Sequence, residues 1–490
     1  MASTASAPPS ADPRRPPADT GFVRGLGLFS ATNLVAGAMI GSGIFIVSQD
    51  IVAKLGSPGW LLLAWVVTGL LTVAGALCYG ELAAMMPQAG GQYVFLREAY
   101  SPLTGFLYGW TLFTVIQSGS IAAVGVAFAK YLGVLFPAVS TTHYLVYLGS
   151  FSLGGSEIPL GLSTAQLVAI VVIALLTANN CIHLGAGKLV QNLFTATKVL
   201  SLLALIAIGL FCGQPDSALA RPTGGFFAAS TGGQPLAGLE LFALFWVALV
   251  GSMFAADAWN NVTFVAAEVQ QPQRNIPRSL ILGAGGVMVL YLLVNVAYLN
   301  LLPLAGIVEA PEQRVAAAAV SRAVPWGGLA VSLAVMISTF GCLNGMILSG
   351  PRLYWAMARD GLFFAVAGRL GSRSRVPVAG LVLQGVWSAV LALSGTYNDL
   401  LDYVIFASLL FYALTVLGLF ILRRRLPDQP RPYRVNGYPW LPAGYVLATV
   451  TMMGVLLVYK PLYTWPGLGL VALGVPIYGI WRWLGRRAAR

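Results

Sequence analysis

Residues 33–45 read Asn33-Leu34-Val35-Ala36-Gly37-Ala38-Met39-Ile40-Gly41-Ser42-Gly43-Ile44-Phe45, an apolar run with Gly41, Ser42 and Gly43 near its middle. The run sits inside a longer apolar stretch, near 27 to 53, that is long enough to cross a hydrocarbon core of roughly 30 Å. A helix in lipid must satisfy its own backbone groups, so irregular backbone at mid-depth survives only where it lines a protein cavity. Each glycine costs about 1 kcal/mol against alanine in a helix, and it lets a ligand approach the backbone closely. Unwinding at this triplet would turn the N–H groups of Ser42, Gly43 and Ile44 into the positive end of the following half-helix, which suits a carboxylate. The carbonyls of Met39 and Ile40, at the end of the preceding half, would accept hydrogen bonds from an ammonium. Together the two ends read a zwitterion. Close packing of small residues against a neighbouring helix is the other reading of the same triplet.

A second interruption stands in the sixth apolar stretch, near 238 to 269: Phe254-Ala255-Ala256-Asp257-Ala258-Trp259-Asn260-Asn261. A carboxylate inside the membrane costs a few kcal/mol or more, so Asp257 faces a partner or a watery cavity. A position at the headgroups, one to three turns before Glu268 and its loop, is the alternative. The two interruptions fall five spans apart, the arrangement in which discontinuous helices of an inverted repeat enclose a site at the midplane. A third interior charge, Lys198, lies about ten residues into the fifth span. Its ammonium would stand where a carrier otherwise binds a monovalent cation, or release a proton during a cycle, unless it snorkels to the interface.

The rest of the chain agrees with a membrane setting. Of 490 residues, 58% are hydrophobic and 9% charged, with a mean hydropathy of +0.79; soluble domains carry roughly 25% charge. Apolar spans are predicted near 27–53, 58–86, 102–136, 163–184, 188–213, 238–269, 278–302, 327–358, 376–395, 399–422, 440–459 and 465–484. The fold class is therefore all-α polytopic, with about twelve transmembrane helices. The first, sixth and eighth spans exceed one crossing, leaving room for tilt or a break. The net charge of +12 follows the loops and forms no patch, so nucleic acid is not an implied partner. Arg24, Arg97, Arg274, Arg278, Arg359, Arg369 and Arg423 to Arg425 fall on alternate loops, and the loops between them hold few cations. The positive-inside rule places both termini in the cytoplasm of a cell-membrane protein. Residues 1–24 read as a disordered tail. Arg423, Arg424 and Arg425 read as a stop charge with an anionic-lipid contact, and Arg97 with Glu98 as a pair near an inner gate.

Metal-ligand spacing is absent among Cys78, Cys181, Cys212 and Cys342, which lie in or at the ends of spans. No metal or cofactor is expected. His143 and His183 have no carboxylate or cysteine at catalytic spacing, which argues against an enzyme. A channel would show a repeated filter or charged ring.

The first-span run, Tyr79-Gly80-Glu81-Leu82, Gly90-Gly91-Gln92-Tyr93-Val94-Phe95-Leu96-Arg97-Glu98-Ala99-Tyr100, and Trp259-Asn260 with Glu268, Pro272, Arg274, Asn275 and Pro277 resemble the amino acid–polyamine–organocation superfamily. They are most similar to its L-type amino acid transporter group and bacterial relatives. The resemblance covers roughly residues 22–425. It implies a five-plus-five inverted-repeat core over residues 25–425, two accessory helices and a basic tail over 426–490, and alternating access. It further implies that Ser42 and Gly43 donate N–H groups to a substrate carboxylate, and that Met39, Phe254 and Asp257 offer carbonyls to its α-amine. Phe254 would also gate the substrate, with Asn260 beside it. Lys198 would replace the sodium of coupled relatives and link the first and eighth helices. With Ile40, Gly41, Ile44 and Ala255 these form the expected site. The implied activity is sodium-independent amino acid transport, by exchange or with protons, for neutral amino acids; cationic amino acids or polyamines, favoured by Asp257, and a non-transporting sensor are the alternatives. Two departures stand out. The segment before Trp259 carries alanines where the family is glycine-rich, and residues 137–162 lack the cysteine by which animal L-type chains join a heavy chain, so no disulfide-linked partner is expected.

Overall fold

The computed structural model describes residues 24–153, 156–182, 186–222, 224–371, 375–393 and 397–488; the predicted tail, apart from Arg24, and His183 lie outside them. Eleven helices are long and apolar enough to cross a membrane, and a further apolar helix, Val378–Leu393, has 16 residues. The first crossing is in three pieces: α1 (Leu28–Met39), α2 (Gly43–Ile46) and α3 (Ser48–Leu55). Helix α4 (Pro58–Met85) returns, its start capped by Ser57, whose hydroxyl accepts from the Trp60 N–H. Between the second and third crossings stands a short helix, α5 (Gln92–Ala99). That crossing joins α6 (Pro102–Thr111) and α7 (Gln117–Leu135) through a π-helical turn at Leu112–Ile116.

The loop after the third crossing is a β-hairpin, β1 (Tyr144–Leu153) with β2 (Ser156–Ser163). Helices α8 (Thr164–Ile182) and α9 (Ala186–Phe211) follow, then a small hairpin of β3 (Ser230–Thr231) and β4 (Gln234–Pro235). The sixth crossing is α10 (Gly238–Ala255) and α11 (Asn261–Phe264). Next come α12 (Pro272–Leu301), short α13 (Leu304–Val308) and α14 (Val315–Ala323), and α15 (Gly327–Arg359), which is continuous despite Pro351. The length of the eighth span thus reflects extent and not a break. Helices α16 (Val378–Leu393), α17 (Tyr397–Arg425), α18 (Trp440–Tyr459) and α19 (Pro461–Ala488) complete the chain.

Crossings five apart pack on one another: α4 on α12, α7 on α15, and α8 on α16. The contacts of α9 with α15 recur as those of α17 with α7. This is the exchange that two five-span halves related by an in-plane axis produce. Helix α1 is enclosed by α9, α12 and α15, and α10 lies against α3, α4, α17 and α18.

The face bearing Arg24, Arg97 and Arg423 is tied shut. The N–H groups of Gly25 and Leu26 both donate to the Glu268 carbonyl at 3.0 Å, and Gln270 N donates to Leu26 O at 2.8 Å. The Glu268 carboxylate accepts Arg352 Nε at 3.0 Å, and Arg352 is fully buried. The start of α1, the end of the sixth crossing and α15 are thus joined by one acid. On the same face Glu81, wholly buried on α4, accepts two bonds from Arg423, at 2.8 and 2.6 Å, and one from the Val435 N–H at 2.7 Å, with Arg431 3.5 Å away. The Arg423 guanidinium also lies 3.8 Å from the centre of the Tyr438 ring. Arg423 is therefore not a stop charge facing lipid: it joins the second and tenth crossings to the segment before the eleventh. Arg424 alone of the three is left to solvent or headgroups without a described partner, since Arg425 donates to Ala99 O. Breaking a buried ion pair strands its partner, which is costly. Glu81→Gln is expected to lower the melting temperature of the purified protein by roughly 5 °C, read by intrinsic fluorescence. Arg97 bonds Glu98 as expected and also Asp360, which accepts the Tyr93 hydroxyl at 2.6 Å.

Candidate functional site

The first break is where the glycines stand. Helix α1 ends at Met39, Ile40 takes ψ 86°, and a helix resumes at Gly43 after Ser42. Gly43 and Ile44 open α2, so their N–H groups are those that a helix start leaves without an intrahelical acceptor. The carbonyls released by the break are taken up by side chains from four other crossings. Gly37 O accepts Lys198 Nζ at 2.7 Å, Ala38 O accepts Cys342 Sγ at 3.0 Å, and Met39 O accepts Tyr291 Oη at 2.8 Å. Ile40 O accepts Ser338 Oγ, Ile44 O accepts Tyr298 Oη and Phe45 O accepts Tyr131 Oη, each at 3.2 Å. The unwound segment is a built feature, held open from outside. Each carbonyl has two lone pairs, so Met39 O and Ile40 O keep one for a ligand.

Lys198 is wholly buried, which removes the snorkelling alternative. Among the described residues no carboxylate lies within ion-pair distance of it. Its stem runs against α15: a methyl group built on Gly341 would lie 3.2 Å from Lys198 Cε. The lysine thus bridges the first and eighth crossings, from the fifth.

The sixth break is present although its segment lacks glycine. Helix α10 ends at Ala255, and α11 resumes at Asn261. Between them Ala258 takes φ 66°, left-handed backbone that costs a side-chain-bearing residue about 1–2 kcal/mol. Ala258→Gly is expected to stabilise the protein by about 1 kcal/mol, measured by thermal denaturation. Asp257 N donates to Phe254 O at 3.1 Å, and Asn261 N to Ala258 O at 3.2 Å. The Asp257 carboxylate accepts the Tyr412 hydroxyl, and Asn260 Nδ2 donates to Gln92 Oε1 at 3.0 Å, with Gln92 in turn bonded to Thr415. Asn260 is buried in the break.

The two breaks touch at Gly43 and Ala255. A methyl group built on Gly43 would lie 2.5 Å from Ala255 Cβ and 2.7 Å from its Cα; no other residue fits there. Gly41 faces Cys342, with 3.0 Å to Sγ for the same construction. Beside the sixth break, Asp257 and Asn260 line a cavity with Gln117, Ser120 and Tyr412, and its volume is only about 10 Å³, room for about one water. Asn261 Nδ2 and Ser408 Oγ are buried in the same wall, with no hydrogen-bond partner among the described residues. Buried polar atoms left so mark a place for water or a ligand. The residues of the first break do not line this cavity. Phe254 is buried on the last turn of α10, and Ile40, Ile44 and Ala255 are buried apolar neighbours of the breaks.

A family model described as amino acid permease matches residues 26–475. The chain belongs to the amino acid permease family. The human large neutral amino acids transporter small subunit 2 is 31% identical to this permease over 463 residues, covering 92% of the chain and 79% of that protein. The human b(0,+)-type amino acid transporter 1 is 29% identical over 450 residues, covering 92% and 85%. The b(0,+)-type transporter of mouse is 29% identical over 417 residues, covering 85% and 79%. Family and relatives are transporters and not enzymes. Among the described residues of the permease no group of histidine, cysteine and acidic side chains has the arrangement of a metal site. His143 is exposed and lies by Ala138 O, and all four cysteines are free thiols.

Several residues that shape the permease's breaks escaped the sequence reading: Tyr131, Tyr291, Tyr298 and Ser338 on the carbonyls, Gln92, Gln117 and Tyr412 at the cavity, and Arg352 on Glu268. Arg352 carried a signal, being an arginine inside the eighth span, where an ionisable residue points to function. A tyrosine in a span carries none, because interfaces and packing use the same residue.

Proposed function

We propose that the chain is a sodium-independent amino acid exchanger of the cell membrane, with both termini cytoplasmic, and that it carries neutral amino acids by alternating access. The observation that carries this is the contact of Lys198 Nζ with Gly37 O at 2.7 Å. A fixed, buried ammonium on one carbonyl of a broken helix stands in for a coupling cation, so no sodium is needed to hold the break. The substrate carboxylate takes the N–H groups of Ser42 and Gly43 at the start of α2. The α-amine takes the carbonyls of Met39, Phe254 and Asp257. Phe254 closes over the ligand, and Asn260 lines its side.

Neutral side chains fit best. Ile40, Ile44, Ala255 and Ala256, buried at the two breaks, are all apolar, and the Asp257 carboxylate is already engaged by Tyr412, which weakens it as a partner for a cationic side chain. The name of the human small subunit 2 speaks of large neutral amino acids, in line with this choice. A cavity of about 10 Å³ is far below the size of any amino acid, so a substrate enters only when the helices part. No disulfide-linked heavy chain is required, since residues 137–162 lack cysteine. Competition against labelled leucine uptake in vesicles tests the substrate class. Excess alanine, isoleucine or phenylalanine is expected to block uptake while arginine and putrescine do not; block by arginine would overturn the neutral assignment.

A further inference from the structure

Above the two breaks, on the face opposite the arginine-rich one, lies a cavity of about 80 Å³. One water needs about 10–15 Å³ of such space, so the cavity admits a ligand of roughly six heavy atoms, the size of a small amino acid. Val47 and Gly251, which border α2 and the end of α10, form part of its wall. Four charges complete it: Asp50 and Lys54 of α3, Asp402 of α17 and Lys460 at the end of α18. They are paired, Lys54 with Asp50 and Lys460 with Asp402 at 2.8 Å. Their side chains are 12% (Asp402), 22% (Lys54), 29% (Lys460) and 38% (Asp50) exposed, so both pairs border the cavity while staying partly open to solvent.

Two acids and two bases around a small space form a wall of zero net charge that can answer both ends of a zwitterion. Ion pairs of this exposure contribute little on their own, so they yield readily to a ligand that offers the same two charges. An α-amino acid does so: its ammonium replaces a lysine at Asp402 or Asp50, and its carboxylate replaces an acid at Lys460 or Lys54. A ligand with one net charge leaves a group in the wall unanswered, which disfavours it. We propose that this cavity is a second binding site, a vestibule that captures zwitterionic amino acids before they pass between α2 and α10 to the breaks. Lys460 gives the eleventh crossing, outside the ten-helix core, a direct part in capture. The inference rests on the amino acid exchange proposed above.

The test compares the wild type with the double variant Asp402→Asn, Lys460→Gln in right-side-out and inverted membrane vesicles. With labelled alanine presented at the vestibule face, the variant's KM is expected to rise roughly fivefold, with Vmax and the KM from the other face unchanged. If the pair were only a latch, its loss would favour opening and lower the vestibule-side KM, which would overturn the proposal. An equal rise on both faces, or no change, would overturn it as well. A second measurement needs no variant: raising ionic strength should raise the wild-type KM from the vestibule face only, because exposed pairs are screened more than buried ones. Wild-type vesicles that take up no amino acid would fail the exchange reading itself, an outcome distinct from wild-type transport with an unaltered variant.

Discussion

Exchange through the Gly43→Ala variant is expected to fall roughly tenfold to a hundredfold, with the protein still in the membrane. The reason is local. A methyl group at Gly43 would lie 2.5 Å from Ala255 Cβ and 2.7 Å from its Cα, so the two broken helices cannot keep their contact. Overpacking a tight site costs about 1–3 kcal/mol, and each 1.4 kcal/mol is about tenfold. The substitution acts on the backbone that is proposed to bind the carboxylate, and therefore on exchange more than on folding. A compensating change makes the expectation sharper. Ala255→Gly removes one of the two clashing atoms, so the pair Gly43→Ala, Ala255→Gly is expected to recover part of the lost rate. Initial rates of leucine uptake into loaded vesicles, normalised to reconstituted protein, read both. Full activity in the single variant would show that the breaks need not touch.

Lys198→Met is expected to reduce exchange by a similar factor. Methionine keeps most of the stem that lies against Gly341 and removes the charge that reaches Gly37 O at 2.7 Å. A hydrogen bond from a charged donor contributes about 1.5–3 kcal/mol, again roughly ten- to a hundredfold. The variant also leaves Gly37 O without its partner and the broken first helix without its tie to the fifth crossing. Lys198→Arg is expected to fail too, because a wholly buried site sized for an ammonium has no room for a planar fork. If sodium restored the methionine variant, the idea that lysine stands in a cation's place would gain direct support. An unaffected Lys198→Met would remove the case for sodium independence.

Much of this was legible in the chain. The first break lies where Gly41-Ser42-Gly43 stands, because glycine weakens a helix at a place where lipid offers no other relief. Most predicted spans agree with the helices to within about four residues, since hydrophobic thickness sets length; the seventh starts six residues later than α12 does. The sixth break was harder. Its alanines favour a helix, and the unwinding is held by contacts from distant crossings, Tyr412 on Asp257 and Gln92 on Asn260. Such contacts have no signature along the sequence. The hairpin of β1 and β2 escaped for a different reason: Leu145, Val146, Tyr147 and Leu148 are all exposed, so neither face gives the alternation that marks a half-buried strand. Glu81 and Arg423 were visible as residues, but their pairing across 342 positions depends on how α4 meets α17.

The most direct test is uptake of labelled leucine into vesicles of the purified protein, without sodium and without a pH gradient, with or without unlabelled leucine inside. The account predicts accumulation in the loaded vesicles and only background in the empty ones. Uptake that requires sodium, or no uptake in loaded vesicles under any gradient, would contradict it.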